Sequence, residues 1–247
     1  EYEKIGVHKD GYYKQINANS LQIENEYYST VRPKPDPNLK TRPSLALLEN
    51  GVNYIELRSI DNDIFSNTGI ELTQMYFMEL LIIHSLFSDN SEISKEEHAD
   101  IRNNFKNVAH KGRDKKIKII KKNETICIEK ELNKILNEME SIAKTMGHIK
   151  NDKNYEISIL QQKDKIHNEK LIPSNLVIDR MKNKKISFYE FCMENIWVQK
   201  KYFSSLKADN NIFNLLKHES ELSLDKKNVL EKNDEENYEE YIKKYFL

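Results

Sequence analysis

Cysteine is nearly missing from this chain, with 2 in 247 residues. Cys127 and Cys192 lie far apart and share no metal-ligand spacing, so neither a disulfide framework nor a zinc site is supported, and a reducing cytosol fits. Glycine and proline are scarce as well, at 6 and 5 residues, where average usage gives about 17 and 12. That shortage argues against a turn-rich β-sandwich, against collagen-like repeats and against proline-rich disorder, and it favours long helices. An excess of one charge sign is also lacking, because 39 Lys and Arg face 40 Asp and Glu, for a net charge of -1. Without surplus cations to displace phosphate counterions, the general electrostatic case for a nucleic-acid binder falls away. Long apolar runs are missing too. The longest, Tyr76 to Leu86, is broken by Glu79 and His84 and is too short to span a bilayer, and no signal-peptide pattern opens the chain. The sequence predicts a soluble cytoplasmic protein whose partners are neither membranes nor nucleic acids.

What is present suffices for folding. At 29.3 kDa the chain is long enough for one large domain or two small ones. Its first residue is Glu1 rather than Met and patterned sequence starts at once, which reads as a fragment. Residues Tyr12 to Tyr28 are partly alternating, with Leu21 and Ile23 facing one way and Gln22, Glu24, Glu26 and Tyr28 the other, the period of a strand. Arg32 to Pro37 carries three of the five prolines and reads as an extended loop. Gly51 then opens a second strand, Val52 to Ile60.

Helical period dominates after Gly69. Leu72, Met75, Tyr76, Leu80 and Ile83 put one apolar face on a helix reaching about Phe87. Ser94 with Glu97 has the spacing of a capping box, and Gly112 follows as a helix stop. Lys111 to Lys122 and Thr125 to Ile128 suit either short strands or loops, and the lysine cluster of the first reads as a solvated loop. The clearest helix is Glu129 to Met146, whose stripe of Leu132, Ile135, Leu136, Met139, Ile142, Ala143 and Met146 ends at Gly147. Another runs from about Asn154 to Glu169, closed by Pro173, with a short one from Ser174, and Ser187 with Glu190 repeats the capping-box spacing. The tail is polar, with six acids between Glu231 and Glu240, and turns aromatic again from Tyr241 to Phe246. The fold class is α+β, strand-rich over 1–70 and helical over 71–247.

Chemistry concentrates in Tyr54-Ile55-Glu56-Leu57-Arg58. Alternation places Ile55 and Leu57 toward a core and Tyr54, Glu56 and Arg58 on the other face. A carboxylate and a guanidinium about 7 Å apart along a strand suit a site where Glu56 holds a hard cation and Arg58 grips a phosphate. The same pattern also describes a solvated strand face bearing an Arg–Glu pair of little energetic worth. Glu24, Glu26, Tyr28 and Arg32 line the same cavity if the two strands are antiparallel neighbours. The Lys111 to Lys122 run lacks interleaved aromatics for base stacking, His84 on its apolar helix reads as a packed side chain, and neither cysteine has a partner that would make it a nucleophile. No glycine-rich phosphate loop occurs.

Taken together, Leu21-Gln22-Ile23-Glu24-Asn25-Glu26-Tyr27-Tyr28-Ser29-Thr30-Val31-Arg32-Pro33-Lys34, then Arg42-Pro43-Ser44-Leu45-Ala46-Leu47, then Gly51-Val52-Asn53-Tyr54-Ile55-Glu56-Leu57-Arg58-Ser59-Ile60-Asp61 closely resemble bacterial glutamate–cysteine ligase, a likeness that runs through Gly69-Ile70 and covers roughly the first 90 residues. The resemblance implies a fold related to glutamine synthetase, in which an antiparallel sheet forms the active site. It implies ATP-dependent joining of the glutamate γ-carboxylate to cysteine through an acyl phosphate, with Mg²⁺ as cofactor and no protein nucleophile. By motif position Glu56 looks like the family's magnesium-binding glutamate, Arg58 like the arginine on the transferring phosphoryl group, and Tyr28 like a tyrosine of the cysteine pocket. Two departures stand out: Asn62-Asp63-Ile64-Phe65 lacks the proline common after this strand, and the family's N-terminal part, which supplies most metal ligands and the glutamate site, is absent. The resemblance therefore implies the C-terminal part of such an enzyme, inactive alone. A non-catalytic remnant or subunit, or a related carboxylate–amine ligase with another acceptor, remain the alternatives.

Overall fold

The computed structural model describes every residue except 1, 40, 89–90, 115, 208, 235–236 and 246–247. The opening Glu1, Asn90, Lys115 in the basic run, two of the tail acids and Phe246 thus lie outside the described residues. Most described residues are helical, joined by three two-stranded antiparallel ribbons. The chain divides into two compact units, residues 1–61 with 206–247, and residues 62–205.

The first unit starts with α1 (Tyr2–Ile5) and the ribbon of β1 (His8–Lys9) and β2 (Tyr12–Tyr13). Beyond Tyr13 the expected strand is not formed. Its alternation is broken by a 3₁₀ turn over Glu24–Glu26, and the reason is a distant partner. The Glu24 carboxylate accepts from the Ser44 N–H (2.9 Å) and hydroxyl (2.7 Å) at the start of α2 (Pro43–Asn50), where a carboxylate meets the positive end of the helix dipole. The strand forms later, in what reads as a proline loop: β3 (Val31–Lys34) pairs with β4 (Tyr54–Leu57), Arg32 opposite Glu56 and Pro33 opposite Ile55. Proline fixes an extended backbone and is tolerated on an edge strand. Helices α9 (Asn210–Asn233) and α10 (Tyr238–Tyr245) complete this unit. Its buried apolar residues are Ala46 and Ile242, and Ile55, expected in a core, is 43% exposed.

The second unit holds the principal core. It comprises α3 (Leu72–Phe87), α4 (Lys95–Lys111), the ribbon of β5 (Lys118–Lys121) and β6 (Glu124–Cys127), α5 (Ile128–Lys150), α6 (Asn154–His167), a 3₁₀ turn at Glu169–Leu171, α7 (Pro173–Lys184) and α8 (Phe188–Ser205). Leu80 of α3, Leu136, Met139 and Ala143 of α5, and Tyr155 and Ile159 of α6 form one buried cluster, as the stripe on α5 requires. Of the two expected capping boxes one forms in full, with Ser187 and Glu190 bonding reciprocally, and one forms by half, the Ser94 hydroxyl accepting from the Glu97 N–H (3.1 Å).

Two helix ends differ from expectation, at Gly147 and Pro173, while Gly112 ends α4 as expected. Gly147 does not stop α5, which continues to Lys150 and turns at Asn151 in the left-handed region. The glycine is required instead by a close approach, since a Cβ there would lie 3.1 Å from the Asp152 carbonyl oxygen, whose own N–H bonds Gly147. Gly112 caps α4 with φ −59°, so handedness does not demand it, but a Cβ would meet the Val108 carbonyl at 2.6 Å. Pro173 opens α7 at its first turn, where a missing N–H costs nothing.

Candidate functional site

The site is built on the β3–β4 ribbon. Because directly opposed residues of an antiparallel pair share a face, Arg32 and Lys34 of β3 and Tyr54 and Glu56 of β4 emerge together, and Arg58 continues the row. Its N–H bonds the Thr30 carbonyl at 2.8 Å, extending the pairing one step. The Glu56 carboxylate is held from two sides, by the Arg58 guanidinium at 3.0 Å and the Lys34 ammonium at 3.2 Å. These cations, Arg58 first and Lys34 second, hold the Glu56 carboxyl below the usual carboxylate range, and Glu56 in turn raises the Arg58 pKa.

Tyr28 joins the same group although it lies 30 residues away in sequence. Its hydroxyl donates to the Arg58 carbonyl at 3.2 Å, and the Arg58 guanidinium sits 5.8 Å from its ring centre, within cation–π range. The three residues singled out from sequence, Tyr28, Glu56 and Arg58, are therefore brought into one contact network. Glu24 and Arg32 stand on its flank: Arg32 donates to the carbonyls of Glu24 (3.2 Å) and Asn25 (3.3 Å), fixing the 3₁₀ turn to the ribbon. Glu24, Arg32, Lys34 and Tyr54 share the lining of an open cavity of about 610 Å³. Glu26 instead accepts from the Gln22 N–H.

Lys34 is the site residue that sequence reading missed. The available signal was its strand period with Arg32, which becomes informative only once Val31–Lys34 is assigned as a strand rather than a loop. Chemically, the network offers a carboxylate for a hard cation, a guanidinium and an ammonium for phosphate oxygens, and a ring with a hydroxyl; no nucleophile is among them. After β4, in the turn that lacks the proline, the Asp63 carboxylate accepts from the Phe65 N–H at 2.9 Å while its own N–H bonds the Gly69 carbonyl. In the second unit His84 is largely buried and bonds Glu138 at 2.9 Å, a packed and partnered side chain.

Comparisons of sequence and of structure lead to one group of enzymes. Residues 1–108 match the family model described as glutamate–cysteine ligase. The glutamate–cysteine ligase of Alcanivorax borkumensis is 30% identical over 99% of this chain and 48% of its own. The chain is homologous to the glutamate–cysteine ligases. Those of Clostridium acetobutylicum and Hahella chejuensis are 32% and 34% identical over 78% and 70% of this chain. The crystal structure of glutamate–cysteine ligase from Francisella tularensis in complex with AMP superposes with a TM-score of 0.88 at 29% identity, covering 99% of this chain and 48% of that one. The chain thus spans about half the length of the ligases it matches over its whole length.

Proposed function

We propose that this chain is the C-terminal part of an ATP-dependent ligase that joins the γ-carboxylate of glutamate to the amine of cysteine, the first step of glutathione synthesis. The single observation supporting this most strongly is the convergence of Tyr28, Glu56 and Arg58 on one ribbon face, in a chain homologous to ligases of that name. In this reading residues 1–70 contribute strands to a glutamine-synthetase-like active-site sheet, and residues 71–247 form a helical region.

A glutamate γ-carboxylate oxygen attacks the γ-phosphorus of ATP and ADP departs. The cysteine amine then adds to the acyl carbon, expels phosphate and loses a proton. Such phosphoryl transfer is catalysed by positioning and charge neutralisation. Arg58 supplies a planar fork of donors for the transferring phosphoryl oxygens, held in place by Glu56 and by the Tyr28 ring. Tyr28 walls the side of the pocket where cysteine enters. Glu56 is this chain's contribution to a magnesium site. One carboxylate does not complete the roughly six oxygen ligands of that ion, and among the described residues no three His, Cys, Asp or Glu side chains gather as metal ligands. The chain by itself does not fit the ion, so further ligands and the glutamate site have to come from a complementary N-terminal part.

The test is an assay of ADP and γ-glutamylcysteine formation. The 247-residue chain alone gives neither product. Combined with the N-terminal part of a relative it gives both, and Arg58→Ala lowers kcat/KM by about 100-fold or more. Turnover by the chain alone, or turnover indifferent to Arg58→Ala, overturns the proposal. Replacing cysteine with other amines in the same assay tests the acceptor.

A further inference from the structure

Strand register alone does not account for which cation of β3 holds Glu56. Arg32 is directly opposite Glu56, whereas Lys34 is opposite Tyr54 and reaches Glu56 only along the diagonal, a span of about 7–8 Å that a long side chain can cross. The direct neighbour is also the better carboxylate ligand, since a guanidinium can grip both oxygens in a fork. Yet Arg32 is turned away, its Nη1 and Nη2 donating to the carbonyls of Asn25 (3.3 Å) and Glu24 (3.2 Å). The diagonal lysine takes its place, with Nζ 3.2 Å from Glu56 Oε2.

Both cations on Glu56 converge on that one atom. Arg58 Nη2 bonds Oε2 at 3.0 Å, and among the described residues Oε1 takes no hydrogen bond or ion pair. Arg58 therefore meets Glu56 through Nη2 alone, although a guanidinium pairs with an otherwise unpartnered carboxylate most strongly through both oxygens. The ammonium on Oε2 accounts for the difference. It supplies from the β3 side the neutralisation that a second N–H of Arg58 would otherwise supply, and as a point charge it does so without a fork of its own. Arg58 Nη1 and Nε keep no hydrogen-bond partner among the described residues.

We infer that Lys34 is a positioning residue of this site: it holds Glu56 by one oxygen, and so keeps the Arg58 guanidinium from closing into a fork on Glu56. In the ligase reading, on which the consequence for turnover rests, the N–H groups of Arg58 left open in this way serve the transferring phosphoryl oxygens. Lys34 acts there through Glu56 and Arg58.

Two measurements test this, one of them without turnover. In the full 247-residue chain with isotope-labelled arginine, NMR reads rotation of the Arg58 guanidinium about its Nε–Cζ bond. Lys34→Met slows that rotation by about tenfold or more, because a second charge-assisted hydrogen bond to Glu56 then has to break, and adding Glu56→Gln restores the wild-type rate. In the chain complemented with the N-terminal part of a relative, Lys34→Met lowers kcat by about tenfold while KM for ATP stays within about threefold, the pattern of an interaction made only in the transition state. Placed on Arg58→Ala, the same substitution lowers kcat by less than about twofold further, because its effect passes through Arg58. Far-UV circular dichroism on each variant verifies that folding is intact. Arg58 rotation unchanged by Lys34→Met overturns the inference. So does a KM for ATP that rises while kcat is kept, which would make Lys34 a direct phosphate ligand, or a pair of substitutions whose effects simply add. A complemented wild type that forms no product overturns the ligase reading instead, and the rotation measurement then decides by itself whether Lys34 holds Arg58 open.

Discussion

The unit formed by residues 62–205 buries eight apolar side chains, whereas the unit that carries Tyr28, Glu56 and Arg58 buries two, among the described residues. In the former, stability comes from aliphatic packing around Met139 and from rings such as Tyr76 and Tyr155, whose centres are 4.6 Å apart. The latter relies on ion pairs, the carbonyl-bound Arg32 and a two-stranded ribbon, a structure that is marginal by itself in water. The candidate site lies in the unit with fewer buried side chains. The difference teaches that the unit carrying Tyr28, Glu56 and Arg58 is held by polar contacts, while the helical unit is held by an apolar core.

Substitutions can sharpen that contrast. The largest expected effect is from Met139→Ala, which empties a fully buried position and should cost about 2–5 kcal/mol of unfolding free energy, read from urea denaturation of the helical unit. Arg58→Ala comes next in a complemented enzyme, at about 3–4 kcal/mol of transition-state stabilisation, but its effect on the urea midpoint should stay within about 0.5 kcal/mol. A large stability loss there would erase the distinction between the two units. Smaller again, Ser187→Ala removes the capping box of α8 and should cost about 0.5–2 kcal/mol, measured in the same way.

Titration separates the units with the least perturbation. Burial, aided by the Glu79 carboxylate that accepts its hydroxyl at 2.8 Å, pushes the Tyr155 pKa up to about 12. A raised pKa contributes stability that is complete below the unfolded value of about 10 and is lost as pH climbs toward the folded one, so the helical unit should loosen in alkali as Tyr155 ionises, followed by phenolate absorbance. Glu56 has the opposite sign: its lowered pKa contributes stability above the unfolded value of about 4.3, lost as pH falls through the folded one. The Glu56 carboxyl carbon shift should report a midpoint below that of an ordinary glutamate, moving upward in Arg58→Ala.

Legibility from sequence follows the same division. The helices α3, α5 and α6 and the two serine N-caps were readable because their determinants, a 3.6-residue stripe and a Ser–x–x–Glu spacing, are local. Misplacement of the first strand has a non-local cause: Glu24 is drawn out of alternation by Ser44, 20 residues on, and β3 is made acceptable to proline only by lying at a ribbon edge. Motif resemblance singled out Tyr28, Glu56 and Arg58, which the structure brings into contact, yet nothing local showed that the Tyr28 hydroxyl would bond the Arg58 backbone, nor that Lys34 would share Glu56.

Pro33 also sets the direction in which the site can grow. With the Thr30–Arg58 and Arg32–Glu56 levels bonded inward, the residues of β3 that turn their backbone outward are Val31 and Pro33, and proline has no N–H to offer. Half of the donors on that flank are therefore gone, while β4 keeps a donor at every outward residue. A strand joining this ribbon to widen it into a catalytic sheet finds a complete row of partners on the Glu56 side, so any enlargement of the sheet is steered toward the carboxylate and the guanidinium rather than away from them.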